Sequence, residues 1–318
     1  MAERKKIKMS IDKSKVAVIG LGPGGVSAAI YLKRYGRTPV CFEKENVGGK
    51  VNLTDRIENY PGYRKGSGPE LAMVREDQLS DFSIPVRYEE VLSLTRNGDG
   101  SYRLKTVKGE EDFVYVILAI GLKPRPFPLK GEEKFSRRGI SSCAICDGPF
   151  YKGKDVIVIG GGNSAFQEAI YLSSLCSHVS LVSHHEKLKA EPVLVDRFKS
   201  LENTSFYVPY EPLSVSGETS FSSLTRKNGN TGEEVTLKAD GLFLFVGDRP
   251  QTSFVHIEGV MDEKGYLLTD DLRQTKEKNL FAVGDCRSTP LRQVTRAVSD
   301  GSLAATRIHR DFEKEENR

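Results

Sequence analysis

Lys15-Val16-Ala17-Val18-Ile19-Gly20-Leu21-Gly22-Pro23-Gly24-Gly25-Val26-Ser27 is a short apolar run, a glycine-rich turn and the start of a helical stretch that continues to Leu32. The G-x-G-x-x-G spacing is that of a strand–turn–helix unit that binds a dinucleotide. Gly20 permits the tight turn, Gly22 lets the backbone approach a diphosphate, and Gly25 allows close packing of helix on strand. The next apolar run, Thr38 to Phe42, ends at Glu43, which lies 23 residues after Gly20, where such a fold places the carboxylate that grips a ribose hydroxyl. The pattern recurs. Asp155-Val156-Ile157-Val158-Ile159 leads into Gly160-Gly161-Gly162-Asn163-Ser164-Ala165 and a helical stretch from Phe166 to Leu175. A third run, Asn279-Leu280-Phe281-Ala282-Val283-Gly284-Asp285, precedes a helical stretch from Gln293 to His309 and puts Asp285 at the carboxyl end of a strand, where open α/β sheets bind ligands.

Two proline-bearing linkers, Lys123-Pro124-Arg125-Pro126 and Gly247-Asp248-Arg249-Pro250, bracket the second fingerprint. They predict an insertion: one domain of residues 1–122 plus 248–318, and a second of residues 123–247. The fold class expected is α/β, with two Rossmann-like dinucleotide-binding domains of three layers (ββα), the second inserted into the first. A length of 318 residues suits two domains. With 47 basic and 43 acidic residues the net charge is +4, too small to argue for a nucleic-acid partner. The basic cluster Arg4, Lys5, Lys6, Lys8, Lys13 and Lys15 is expected to be a solvated arm. No apolar run approaches the ~18 residues of a spanning helix, and Val16–Ile19 is too short for a signal peptide, so no membrane association and a cytoplasmic location are expected.

Five cysteines cannot staple a chain of this length. Cys41, Cys176 and Cys286 are spread apart and are expected in the core, whereas Cys143 and Cys146 form a C-x-x-C pair. A structural zinc site needs four ligands, and neither a second such pair nor a nearby Cys/His pair is present, so no metal is expected. The redox reading requires one thiolate to attack, one to leave, and a two-electron carrier close by. A helix start at this pair would favour thiolate formation. Asp147, directly after Cys146, suits a general acid for the departing thiolate, with helix capping as the alternative.

Taken in chain order, several segments resemble the low-molecular-weight thioredoxin reductase family over about residues 14–309. They are Gly20 to Gly25, Glu58-Asn59-Tyr60-Pro61-Gly62 with Gly68-Pro69-Glu70-Leu71, and Ile117-Leu118-Ala119-Ile120-Gly121. Ser142-Cys143-Ala144-Ile145-Cys146-Asp147-Gly148, Gly160 to Ala165, and Gly284-Asp285 with Arg292-Gln293 complete the set. The resemblance implies that the first domain binds FAD and the inserted one NADPH, that the chain is a homodimer, and that electrons pass through flavin and dithiol to a thioredoxin-like protein disulfide. It assigns Cys146 to the flavin side and Cys143 to exchange with the partner. For FAD it points to Gly20, Gly22, Pro23, Gly24, Gly25, Glu43, Lys44, Gly48, Gly49, Lys50, Asn59, Gly121, Gly284, Asp285, Arg292, Gln293 and Val294. Among these, Glu43 would hold the adenosine ribose, Asp285 the ribityl or diphosphate region, and the Arg292-Gln293 turn would cover the isoalloxazine.

The second fingerprint departs from that pattern. Twenty-three residues after Gly160 stands Ser183, followed by His184-His185-Glu186-Lys187-Leu188-Lys189. The family's arginines in H-R-R-x-x-x-R fall on His184, His185 and Lys189. An imidazole near neutrality does not replace a permanently charged bidentate guanidinium. Three donors therefore stay open: ferredoxin or another electron-carrier protein, NADH or NADPH held weakly by the remaining turn, or a different nucleotide in that pocket. Ile120 stands for the usual Thr near the flavin, Lys50 for Gln and Gln167 for Glu. A nonenzymatic flavin-binding or regulatory module would not need Cys143, Cys146 and Asp147 together.

Overall fold

Strand Val16–Ile19 is buried along its whole length, and its alternate residues feed two different cores. Val16 and Val18 face a core shared with helix residues such as Val26, Ala29 and Leu32, while Ala17 and Ile19 face one built with Leu94, Tyr102, Leu104 and Phe113. A strand covered on both faces must be apolar throughout, and this one is. The computed structural model describes residues 15–64, 66–136 and 138–317; Arg4, Lys5, Lys6, Lys8 and Lys13 lie outside the described residues. Lys15 does not lie free. Its ammonium pairs with Glu111 at 2.5 Å and sits 4.9 Å from the Phe113 ring centre.

The chain divides into two units. One gathers the described residues up to 52 with 56–122 and 250–317, and the other holds 53–55 and 123–249. In the first unit a five-stranded parallel sheet runs in the order Leu280–Ala282, Tyr115–Leu118, Val16–Ile19, Val40–Glu43, Val86–Tyr88. Helices Pro23–Arg34 and Val294–Glu316 cover one face, and an antiparallel sheet of Val91–Arg96, Tyr102–Thr106 and Gly109–Phe113 covers the other. The second unit repeats the plan, with Thr204–Tyr207, His178–Val182, Asp155–Ile159, Gly241–Leu244 and Ile140–Ser141 in one parallel sheet. Val156 and Val158 pack on Phe166, Ala169 and Leu172 of helix Asn163–Ser173, and Ile157 and Ile159 pack on Val215 and Leu224 of an antiparallel sheet and on Phe221 in the connection between those two strands. The protein is α/β with two Rossmann-like units.

Local chemistry moved several element ends. The strand expected from Thr38 begins at Val40, after Pro39, which has no N–H to give to a ladder. The first helix reaches back to Pro23, whose fixed φ suits the first helical position. Helix Asn163–Ser173 starts earlier than the apolar stretch suggested, and Val294–Glu316 runs past His309. No helix among the described residues is long and apolar enough to cross a membrane.

Candidate active site and nucleotide turns

The first glycine turn follows strand Val16–Ile19 directly. A Cβ on Gly25 would lie 1.9 Å from the Gly20 carbonyl oxygen, so only hydrogen fits where helix meets strand. Helix Pro23–Arg34 is preceded by Gly22 in extended backbone, with no side-chain cap, and its first-turn amides have no partner within the helix. Space beside Gly22 is open, the nearest heavy atom to an added Cβ being the Gly48 carbonyl oxygen at 4.0 Å. Gly48 donates its amide to the Leu21 carbonyl at 2.8 Å, which draws the 48–49 loop against the turn.

Glu43 ends its strand buried. Its Oε2 accepts the Leu21 amide at 2.7 Å and its Oε1 accepts the Glu45 amide at 3.0 Å. Two backbone donors fix the carboxylate and leave lone pairs for further donors, which is what a ribose diol needs. An uncapped helix end, an open glycine and a pinned acid together fit an adenine dinucleotide.

Elsewhere in this unit, Gly121 closes the stretch after strand Tyr115–Leu118, and half-buried Asp285 lies in the one-turn segment Gly284–Cys286 after strand Leu280–Ala282. A Cβ on Gly24 would lie 3.1 Å from both Val283 and the Ala297 carbonyl, which places the first turn beside this segment. Asn59 donates to Gln293 Oε1 at 3.1 Å, joining two residues far apart in sequence. Val294 packs with Tyr60 and Tyr63 on the small cluster of Val51, Ile57 and Leu71. Lys50 is exposed beside Gly49 at the start of a short helical segment, Gly49–Leu53. Lys44 is exposed, turned to Glu45 at 3.3 Å and Gln251 at 3.4 Å, and the Arg292 guanidinium lies 4.7 Å from the Tyr266 ring centre.

In the second unit Cys143 and Cys146 form a disulfide with Cα atoms 5.3 Å apart. Cys143 caps the four-residue helix Ala144–Asp147, its sulfur accepting the Cys146 amide at 3.2 Å. That amide stabilises negative charge on the Cys143 sulfur. Ser141, on the edge strand, accepts the Cys143 amide at 3.0 Å and donates back to the Cys143 carbonyl at 3.3 Å. This cradle was missed in the sequence, since Ser141 carries no motif of its own. Cys146 is exposed, while Cys143 and Asp147 are half-buried. By contrast Cys41, Cys176 and Cys286 are free and buried, and burial pushes their thiols up to about 12, about 11 and about 12. Such thiols are inert at neutral pH. Among the described residues no group of three or more His, Cys, Asp or Glu could hold a metal ion.

The second glycine turn keeps its backbone plan. Gly160 donates to Val182 O at 3.0 Å, and helix Asn163–Ser173 begins after Gly162 with no side-chain cap. Ser183, however, is fully buried, its backbone bonded to Tyr207 and Tyr210, and a Cβ on Gly161 would meet its hydroxyl at 2.6 Å. His184 and His185 are exposed, with ring centres 3.7 Å apart. Burial first, then His185, hold His184 below its usual imidazole range; Glu211 opposes them, and Lys189 adds a lesser push in the same downward direction. Arg226 is buried between the Tyr207 and Tyr210 rings, at 3.7 and 4.2 Å.

Residues 14–301 match the family described as pyridine nucleotide-disulphide oxidoreductase. The chain is 38% identical over 293 residues to a thioredoxin reductase of Treponema pallidum, covering 91% of this chain and 94% of that protein. It is 36% identical over 297 residues to a bifunctional thioredoxin reductase/thioredoxin of Mycobacterium leprae, covering 92% of this chain but only 64% of that longer protein. Among solved structures, the thioredoxin reductase of Lactococcus lactis superposes with a TM-score of 0.91 at 35% identity, covering 95% of this chain and 99% of the other. A ferredoxin-flavin thioredoxin reductase of Clostridium acetobutylicum gives a TM-score of 0.52 at 28% identity, covering 94% and 98%.

Proposed function

This chain belongs to the pyridine nucleotide-disulphide oxidoreductase family, in its thioredoxin reductase branch, and from that premise we propose that Cys143, Cys146 and Asp147 pass electrons from FAD to the disulfide of a thioredoxin-like protein. The chain is an FAD-dependent oxidoreductase. FAD, when bound, supplies the two-electron reductant for the Cys143–Cys146 bond. In the first unit, Glu43 holds the adenosine ribose, the first-turn amides after Gly22 meet the diphosphate, and Asp285 with the Asn59–Gln293 pair orients the remainder.

Uptake of two electrons and two protons turns the disulfide into two thiols. Cys143 then gives its proton to Asp147, and the resulting thiolate attacks one sulfur of the partner disulfide. That S–S bond breaks, the departing thiolate takes a proton from Asp147, and Cys143 is left in a mixed disulfide. Cys146 next gives up its proton and attacks the Cys143 sulfur, restoring the internal disulfide, and the second partner sulfur departs and takes up that proton as a thiol. One observation carries this reading: of five cysteines, the two that are bonded to each other are the two not sealed in a core.

For the electron donor we favour ferredoxin or another electron-carrier protein over NADPH at the usual site. Neither a buried acid nor an arginine stands at residues 183–185, and a structural neighbour is named for ferredoxin. The second reading, weak use of NADPH or NADH, is favoured by the retained glycine turn and uncapped helix. Anaerobic mixing of the oxidised flavoprotein with excess NADPH, then NADH, decides between them through flavin absorbance. Slow or no bleaching is expected with both, and fast bleaching with either removes the protein-donor reading. With FAD reduced by dithionite, the wild type should reduce a thioredoxin disulfide, and Cys143→Ser or Cys146→Ser should abolish turnover. A homodimer is expected by sedimentation.

A further inference from the structure

Asp300, on helix Val294–Glu316, has no solvent-exposed surface and carries four donors. Its Oδ1 accepts Nε of Arg273 at 2.6 Å and Nε of Arg296 at 3.0 Å. Its Oδ2 accepts Nη1 of Arg287 and the Gly284 amide, both at 3.1 Å. Arg273 and Arg287 are themselves buried. A carboxylate taken wholly out of water persists only when charge and hydrogen bonds compensate it, and here the bonds from Arg273, Arg287 and Gly284 tie the chain outside the helix to it, while Arg296 donates from one turn before on the helix itself.

The Gly284 amide is the bond with a functional consequence. Gly284 has φ +72°, a left-handed conformation that turns the chain out of strand Leu280–Ala282, and the turn has no side-chain cap of its own before Asp285. Arg287, two residues beyond Asp285, is gripped by the same carboxylate and donates to Thr269 Oγ1 at 3.0 Å. Asp300 therefore fixes the chain on both sides of Asp285. Its neighbour Gly301 brings the same helix against the first glycine turn, where an added Cβ would lie 2.1 Å from the Gly24 carbonyl.

We propose that Asp300 is a positioning residue of the flavin site, its arginine-clamped carboxylate holding the Gly284 amide and so setting the turn that presents Asp285 to the cofactor. This rests on the reading of Asp285 as an FAD contact. It predicts a selective loss. ADP engages only the Glu43 and first-turn end of the site, whereas FAD also spans the Asp285 end.

The test compares FAD and ADP binding to apoprotein of the wild type, Asp300→Asn and Arg296→Gln, by flavin fluorescence and calorimetry below the unfolding temperature. In Asp300→Asn the FAD dissociation constant should rise about tenfold or more while that of ADP stays within about twofold. Arg296 is partly exposed, so Arg296→Gln should fold and raise the FAD constant by about threefold, again sparing ADP. Equal weakening of FAD and ADP would mean that the unit has merely loosened, and unchanged FAD binding in both variants would mean that the clamp does not set the turn. Either result overturns the proposal. If Asp300→Asn does not fold, Arg296→Gln decides alone. A wild-type chain without affinity for FAD would instead overturn the flavin reading itself.

Discussion

Two glycine turns of the same design have been furnished differently. In the first, Glu43 reaches the end of its strand with both carboxylate oxygens held by backbone amides, ready for a diol. At the matching place in the second stands Ser183, sealed beneath Gly161, with two imidazoles following it. The strand, glycine turn and uncapped helix are kept in both, while a carboxylate at the strand end is kept in one. Folding needs the frame, because the glycines and apolar strands bury each unit's core. Ligand choice needs only a few polar groups at the strand ends, and these can be lost without loss of the fold.

The largest expected difference lies in the frame itself. Gly25 in the first turn corresponds to Ala165 in the second, where the Cβ is fully buried and accommodated. Gly25→Ala would drive a methyl group to within 1.9 Å of the Gly20 carbonyl, so it should cost about 3 kcal/mol and strip FAD from the protein. Ala165→Gly should cost only about 1 kcal/mol and leave FAD in place. Denaturant melts with flavin content at each point measure both. Equal losses would break the comparison.

Next comes Glu43→Gln. An amide can accept from one of the Leu21 and Glu45 amides but must turn its own NH2 toward the other, leaving buried donors opposed. FAD affinity should fall about tenfold to a hundredfold. Ser183→Ala, the corresponding change in the second turn, removes a buried hydroxyl that bonds no ligand and should leave FAD content unaltered. Equilibrium dialysis against free FAD distinguishes them. A gain-of-function pair sharpens the contrast from the other side. His184→Arg with His185→Arg should speed NADPH-driven flavin bleaching about tenfold at low salt, with the gain fading as salt is raised. No gain would mean that the second turn is closed to nucleotides for reasons other than charge.

How much of this was legible before the structure follows from the range of each interaction. The glycine turns, Glu43 and the C-x-x-C are local signals, carried within a few residues of a strand or helix end. Asp300 was not legible, because its buried partners at 273 and 287 reach it from outside its helix, and an aspartate one turn after an arginine in a helix of mixed charge resembles a solvated one. Asn59 and Gln293 were each singled out, yet nothing in the chain says that they bond each other across 234 residues. The Lys44 side chain turns to Glu45 and Gln251, and the direction of an exposed lysine has no sequence signature.

The smallest expected effect concerns the proton balance of the second turn. His184 is held below its ordinary value of 6.5 by burial, by His185 and by Lys189, with only Glu211 opposing them. In the unfolded chain the imidazole takes up its proton near that ordinary value, so between it and the lower folded value the unfolded state binds more protons. Stability is therefore whole above pH 6.5 and declines as pH falls through that window. Since His184 is largely exposed, solvent screening limits the decline to about 0.3 kcal/mol. His184→Asn should remove this part of the pH dependence of the denaturation midpoint. The same protonation adds a positive charge at His184, so if the second turn seats NADPH there, its binding should tighten over the pH range in which stability drops. Glu43→Gln should leave that opposition of trends untouched. If NADPH binding instead weakens as the imidazole gains its proton, the second turn does not seat the nucleotide at His184, and the parallel between the two turns ends at their backbones.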